Sequence, residues 1–179
     1  MEKYHIDMRN ITLSGRVLDI GGGGEGIIAR HLGDNVIVID KLKTELDESP
    51  DKGIKIVMDA TNLQFIDGTF HHATCFYSLM YMDEPSMEKV IIEAYRVLKP
   101  GGSLLIWDAT IPFPPKDNIF ITYFEIILSN EVISTGYGVG WRRRHDLSLV
   151  SEKCEKAGFT INQRQNAENR FFLTAVKDR

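Results

Sequence analysis

Residues 16–33 read RVLDIGGGGEGIIARHLG, and the fold follows from how this stretch divides. Val17, Leu18 and Ile20 make a short buried strand. Gly21 to Gly24 form a turn that no side chain crowds. A helix begins at Glu25, with Ile27, Ile28 and Leu32 as its apolar members, and Gly33-Asp34-Asn35 stops it. Strand, glycine turn and helix is how an α/β sheet holds an anionic or nucleotide ligand. Bare glycines let the backbone approach the ligand, and the helix N-terminus points N–H groups at it.

Gly21, Gly23 and Gly26 satisfy the dinucleotide pattern G-x-G-x-x-G, which four successive glycines can match by accident. Two carboxylates narrow the reading. Asp19 stands on the strand, two residues before the first glycine, where a dinucleotide site has an apolar or small residue. Asp40 ends the next apolar run, VIVID, about 20 residues on, where an acid can take a ribose diol. This combination resembles the class I S-adenosylmethionine-dependent methyltransferases, whose first motif is an acidic residue followed by alternating glycines. Tyr95 to Gly102, YRVLKPGG, is a second match to that family, far from the glycine loop.

The rest of the 179-residue chain fits one α/β domain. It is 43% hydrophobic, 26% charged and carries a net charge of -4, which does not favour nucleic acid as a whole-surface partner. No apolar run is long enough to cross a bilayer, and MEKYHIDMRN has no apolar h-region, so a cytoplasmic protein is expected. Cys75 and Cys154 read as reduced core residues. Two distant cysteines offer no ligand set for an iron–sulfur cluster, and no metal site is expected.

Further strands are read at 35–39, 54–58, 73–78 and 103–107, with a helix over 41–48. A clear helix is capped by Asp83, carries Pro85 in its first turn, and presents Met87, Val90, Ile91, Ala94, Tyr95 and Leu98 at three- and four-residue steps. A helix over 146–157 and two strands, 159–165 and 171–176, close the chain. The short link between the last two makes them antiparallel. The expected fold is thus a doubly wound, mostly parallel α/β sheet with a C-terminal antiparallel strand pair. Residues 1–15 read as one irregular turn. Residues 109–145 break the alternation. Pro112, Pro114 and Pro115 mark a loop, and the apolar runs 119–128 and 132–141 read as an inserted β-hairpin. Gly136, Gly138 and Gly140 leave one face of its second arm bare, which suggests close approach of a backbone or ligand.

The resemblance implies roles at particular positions. Gly21 and Gly23 lie along the methionine part of S-adenosylmethionine, with Gly22 and Lys41 in the same cofactor site. Asp40 accepts the ribose hydroxyls. Asp59 accepts from the adenine amine while the Ala60 amide donates to the ring. Tyr77 and Ser78 border the sulfonium. Asp19 orients loop amides or the ammonium through charge-assisted hydrogen bonds. For Asp40 the rival reading is a solvated strand-end acid, and for Asp59 a turn cap before Thr61-Asn62.

The expected reaction is in-line methyl transfer from S-adenosylmethionine to a small-molecule acceptor, with no catalytic base assigned. Tyr81, Asp83, Asp108 and Tyr137 are candidates to line the acceptor pocket. The family's N-terminal helical cap does not fit in residues 1–15. The hairpin is therefore expected to act as the lid, with Phe113, Phe120, Tyr123, Phe124 or Tyr137 as an apolar wall. The alternative places the hairpin at the sheet edge or in a homodimer interface, with the acceptor near Tyr4 and His5. Departures from the family include Glu25 where glycine is frequent and His71 where Asp is usual; His71 and His72 read as turn residues. Arg142-Arg143-Arg144 is either a solvated run or a contact for an anionic substrate. An NAD-type oxidoreductase and a catalytically silent cofactor-binding module remain as alternatives.

Overall fold

Alternation within the strands decides which layer each residue faces. The structure, a computed structural model, describes residues 3–111, 119–140 and 143–178. Its strands are β1 (Tyr4–Asp7), β2 (Val17–Ile20), β3 (Val36–Asp40), β4 (Ile54–Val57), β5 (Phe70–Phe76), β6 (Leu98–Ala109), β7 (Phe120–Ile127), β8 (Val132–Val139), β9 (Phe159–Ala167) and β10 (Arg170–Lys177). The helices are α1 (Ile27–Leu32), α2 (Lys43–Glu48), α3 (Glu84–Val97) and α4 (Leu147–Lys156).

Seven strands form one sheet in the order β4-β3-β2-β5-β6-β10-β9. The pairs β2–β3, β2–β5, β3–β4 and β5–β6 are parallel, and β10 runs antiparallel to both β6 and β9. Leu18, Ile20, Cys75, Leu104 and Ile106 point to one face, where Val90, Ile91 and Val150 of α3 and α4 cover them. Val17, Val38, Phe76, Leu105 and Trp107 point to the other, against Ile28, Leu46, Phe124 and Ile126. Residue parity therefore places Asp19 with Val17, on the side of α1 and α2. The chain turns one way from β2 through β3 to β4, and the other way from β5 to β6. The crevice between β2 and β5 is the topological switch point, where such sheets bind ligands.

Three departures from the sequence reading have local causes. Residues 4–7 are a strand, not an irregular turn. β1 pairs in parallel with β7, Tyr4 opposite Phe124 and Ile6 opposite Ile126, and with β8 completes a second, three-stranded sheet. Its four residues carry too little pattern to announce a partner so distant in the chain. Helix α1 starts at Ile27 and not Glu25, because Gly24 and Gly26 both take positive φ (62° and 58°) and carry the loop two residues further. The bare face of β8 is filled from its own hairpin: Tyr123 lies opposite Gly136 and Ile121 opposite Gly138. A Cβ on Gly136 would stand 2.8 Å from the Tyr123 ring. The proline loop at 112–115, Phe113, Trp141 and Arg142 fall outside the described residues.

Capping holds the helix ends. Asp83 accepts from the Ser86 amide at 2.8 Å at the start of α3. Asp146 accepts from the Leu149 amide at 2.8 Å at the start of α4 and pairs with Arg144 at 2.6 Å. Cys75 and Cys154 are buried free thiols, and burial pushes the Cys154 thiol up to about 12. Replacing Asp146 by Ala should cost about 1 kcal/mol, the usual value of a lost N-cap. Urea unfolding should then show a lower midpoint at unchanged slope.

Candidate active site

The ten cofactor-site residues expected from the sequence, Asp19, Gly21, Gly22, Gly23, Asp40, Lys41, Asp59, Ala60, Tyr77 and Ser78, all line one cavity of about 830 Å³. It opens at the carboxyl ends of β2, β3 and β5. The glycine loop forms its floor, and the fit there is steric. A Cβ on Gly22 would collide with Asp19 Oδ2 and reach Val38 Cγ1 at 2.8 Å. One on Gly23 would collide with Glu45 Cβ and come within 2.9 Å of Asp40 Oδ2. The backbone N–H groups of Gly21 and Gly22 are held by the Ile39 carbonyl at 2.8 and 3.2 Å, and that of Gly24 by the Glu45 carbonyl at 2.9 Å.

Asp19 is completely buried. Its Oδ1 accepts from the Thr74 hydroxyl at 2.8 Å, while Oδ2 has no hydrogen-bond partner. Burial pushes this carboxyl up to about 7; the Thr74 bond opposes the shift and the nearby Asp40 adds to it. An orphaned carboxylate oxygen beneath a bare loop fits a cationic or N–H-bearing group of a ligand. Asp40, at the end of β3, uses Oδ1 to accept from the Leu42 amide at 2.9 Å. Asp59 is more occupied. Its Oδ1 accepts from the Thr61 amide and hydroxyl at 2.9 and 2.7 Å, and its Oδ2 lies 3.2 Å from Lys41 Nζ. These bonds hold its carboxyl below the usual range. The turn-cap geometry weighed for Asp59 is thus present, within a residue that also lines the cavity.

The opposite wall is aromatic. Tyr77 is buried and takes φ 50°, the one positive φ outside glycine among the described residues. Its ring stacks on Tyr137 of β8 at 4.7 Å and 5°, and packs on Phe124 at 4.6 Å. Burial pushes both tyrosine hydroxyls far above their ordinary range. Ser78 turns inward and donates to the Ile20 carbonyl at 2.8 Å, locking β5 against β2. Tyr81, Asp83 and Tyr137 line the cavity as expected. Asp108 does not. It has the parity of Leu104 and Ile106, so it points beneath the turn that follows β5 and away from the lumen. Of the described aromatic residues expected as a wall, only Tyr137 reaches the lumen. Phe124 backs it from behind, Tyr123 lies on the outer face of the hairpin, and Phe120 does not border the cavity.

Several residues at or around the cavity carry no sequence signal of their own. Glu45, from the first turn of α2, lines the floor, and its carboxyl is pushed up by burial and by Asp40. Thr74 reaches Asp19 across the β2–β5 pair. Thr135 donates to Glu25, so the hairpin is tied to the glycine loop, and Arg30 and Glu131 pair at 3.3 Å nearby. Arg144 is engaged by Asp146, and Arg143 donates to the Met80 carbonyl at 3.4 Å. His71 and His72 sit at the opposite end of the sheet. His71 Nδ1 accepts from the Arg16 amide at 3.1 Å, and His72 Nδ1 lies 2.7 Å from the Ser103 hydroxyl. Among the described residues no group of three or more His, Cys, Asp or Glu is placed to hold a metal ion.

Comparison with known proteins agrees with this geometry. A family model described as a methyltransferase domain matches residues 18–106, from β2 to β6. The sterol 4-C-methyltransferase strm-1 of Caenorhabditis elegans is 28% identical over 95% of this chain and 48% of its own length. The ubiquinone/menaquinone biosynthesis C-methyltransferase UbiE of Idiomarina loihiensis is 28% identical over 92% of this chain and 74% of its own. The chain therefore spans about half of the first relative and about three quarters of the second. Among solved structures, a methyltransferase of Methanosarcina mazei superposes with a TM-score of 0.68 at 18% identity, covering 94% of both chains. The 4+2 cyclase SpnF superposes with a TM-score of 0.68 at 20% identity, covering 93% of this chain and 77% of its own. The chain belongs to the class I S-adenosylmethionine-dependent methyltransferase family. The cofactor of that family is S-adenosylmethionine, which decides against the nicotinamide reading.

The burial of Asp19 predicts that ligand binding depends on pH. The fold raises this pKa from 3.8 to about 7, so the protonated form is favoured in the folded state. Its contribution to stability is complete below the unfolded value and is lost as pH rises through about 7. A ligand cation or N–H facing Oδ2 favours the ionised form and expels the proton. Affinity for S-adenosylhomocysteine should therefore rise between pH 6 and 8, with proton release seen by calorimetry in buffers of different ionisation enthalpy. Asp19→Asn should flatten that pH dependence.

Proposed function

We propose that this protein transfers the methyl group of S-adenosylmethionine to a small-molecule acceptor bound beneath the β7–β8 hairpin. The observation that carries the reading is the orphaned Asp19 Oδ2 under glycines that cannot bear a side chain, in the cavity that Asp40 and Asp59 also line. Asp40 is suited to the ribose diol, since its Oδ2 faces the loop at Gly23. Asp59, Ala60 and Lys41 are suited to the adenine end. Tyr77 and Ser78 border the reactive end, between the loop and the hairpin.

When bound, the cofactor supplies an electrophilic methyl group and its own leaving group. The chain is then left to align the acceptor and exclude water. Tyr81 and Tyr137 offer the acceptor aromatic faces, and no residue need act as a base unless the acceptor must first lose a proton. The Thr135–Glu25 bond and the Tyr77–Tyr137 stack are what a lid needs, because they join the hairpin to the cofactor loop and to the reactive end. The sterol and quinone relatives act on non-peptidic acceptors by name, which supports a small-molecule substrate.

Calorimetric titration with S-adenosylmethionine, S-adenosylhomocysteine and NAD tests the cofactor. Tighter binding of NAD would defeat the proposal. Transfer of labelled methyl to a metabolite panel that includes sterols and quinols tests the acceptor. A carboxylate accepting two hydroxyls contributes ~2–4 kcal/mol. Asp40→Ala should accordingly weaken cofactor binding about 30- to 1,000-fold with the fold intact. An unchanged dissociation constant would return Asp40 to a solvated strand-end acid.

A further inference from the structure

Asp108 and His145 are both completely buried, and neither borders the cavity. Asp108 Oδ1 lies 3.4 Å from His145 Nε2 and accepts from the Ala109 amide at 2.8 Å. Its Oδ2 accepts from the Met80 amide at 3.1 Å. Met80 is the middle residue of the 3-10 turn Leu79–Tyr81, which follows Tyr77 and Ser78. The Met80 carbonyl is held from the other direction by Arg143 at 3.4 Å. His145 is bound at its backbone, where the Ile111 amide donates to its carbonyl at 2.8 Å in an isolated antiparallel bridge. That bridge joins the outgoing and returning legs of the segment that carries β7 and β8.

One buried cluster thus touches three things: the end of β6, the base of the hairpin segment, and the turn that places Tyr77 and Tyr81. The carboxylate grips the turn through a backbone N–H, so the contact fixes geometry irrespective of which side chain stands at position 80. A buried polar pair of this kind stabilises a fold weakly compared with an apolar pair of the same volume, but it fixes one arrangement. Both imidazole nitrogens of His145 lack a well-formed hydrogen bond, and the Nε2 contact with Asp108 is a long one. Asp108 is therefore held mainly through the Met80 and Ala109 amides, with His145 as a weaker support.

We propose that Asp108, supported by His145, is a positioning residue for methyl transfer. It sets the Tyr77–Tyr81 turn against the glycine loop and makes the position of that turn depend on the hairpin. The role rests on the cavity being the methyl-transfer site. Hairpin and turn then move as one unit, with the Tyr77–Tyr137 stack as the far contact and Asp108 as the near one.

The test uses the full chain as wild type, Asp108→Asn and His145→Gln. The readouts are hydrogen exchange by residue, the tyrosine ring signals in nuclear magnetic resonance, and S-adenosylhomocysteine affinity. In Asp108→Asn, exchange at the Met80 amide and across 132–139 should accelerate together by ~10-fold, the scale of one weakened backbone hydrogen bond. The Tyr77 and Tyr137 ring signals should shift together. Strands β2 to β4 should keep their protection, and the cofactor product should bind within about 2-fold of wild type. His145→Gln should repeat the pattern more weakly. Acceleration at Met80 with the hairpin and tyrosine signals unmoved would overturn the coupling, as would uniform loss of protection in Asp108→Asn and His145→Gln. The coupled pattern in the variants, with no affinity of the wild type for S-adenosylhomocysteine, would overturn the methyl-transfer reading and with it the positioning role. Affinity without coupling would overturn this inference alone.

Discussion

A carboxylate buried under bare backbone is the constraint on which this site depends. Asp19 has the parity of Val17, so the strand carries it into the layer of α1 and α2 instead of out to solvent. Burying a carboxylate is unfavourable unless something compensates it. Thr74 compensates one oxygen only. The other oxygen requires that residue 22 have no side chain, and residue 23 is bare for a similar reason, pressed by Glu45 and Asp40. The bare loop at residues 22 and 23 thus fits between Asp19 on one side and Glu45 of α2 on the other. A protein optimised for stability alone would put an apolar residue at position 19. Its cost is intelligible as a cost of binding.

The second sheet borders the cavity through Gly136 and Tyr137. β1 and the hairpin come from distant parts of the chain, yet they pair and present Phe124 and Tyr137 to Tyr77. The aromatic cluster fixes a backbone conformation at Tyr77 that non-glycine residues rarely take. Strain of this kind persists where the surroundings over-determine it. Here they do so at the junction of the loop, the aromatic wall of the cavity and the hairpin. Hydrogen bonds from Thr135 to Glu25 and from Arg143 to Met80 tie the same hairpin segment to both sides of the cleft.

Much of the fold was legible because period and punctuation agreed. The stripe Met87, Val90, Ile91 and Ala94, with Asp83 before it, could only be a core-facing helix, and all four stripe residues are buried in α3. The ten candidate cofactor residues came from a family resemblance anchored on Asp19, the glycines, Asp40 and YRVLKPGG, and they converge on one cavity because strand ends at a switch point are neighbours by topology. What failed to show in the sequence were pairings across long separations. Thr74 with Asp19, Thr135 with Glu25 and His145 with Asp108 are single polar residues without period or motif.

The sequence by itself determined the α/β class, the position of the glycine loop, the strand-end carboxylates and the presence of an inserted hairpin. Those depend on local periodicity and on glycine and proline chemistry, which act over a few residues. The tertiary structure alone decided that residues 4–7 join the hairpin, that Tyr123 fills the glycine face, that Tyr137 and not Phe124 reaches the lumen, and that Asp108 turns away from it. Each of these is a choice between two faces or two partners. In a strand one residue of register reverses the face, and only packing against the rest of the molecule selects it.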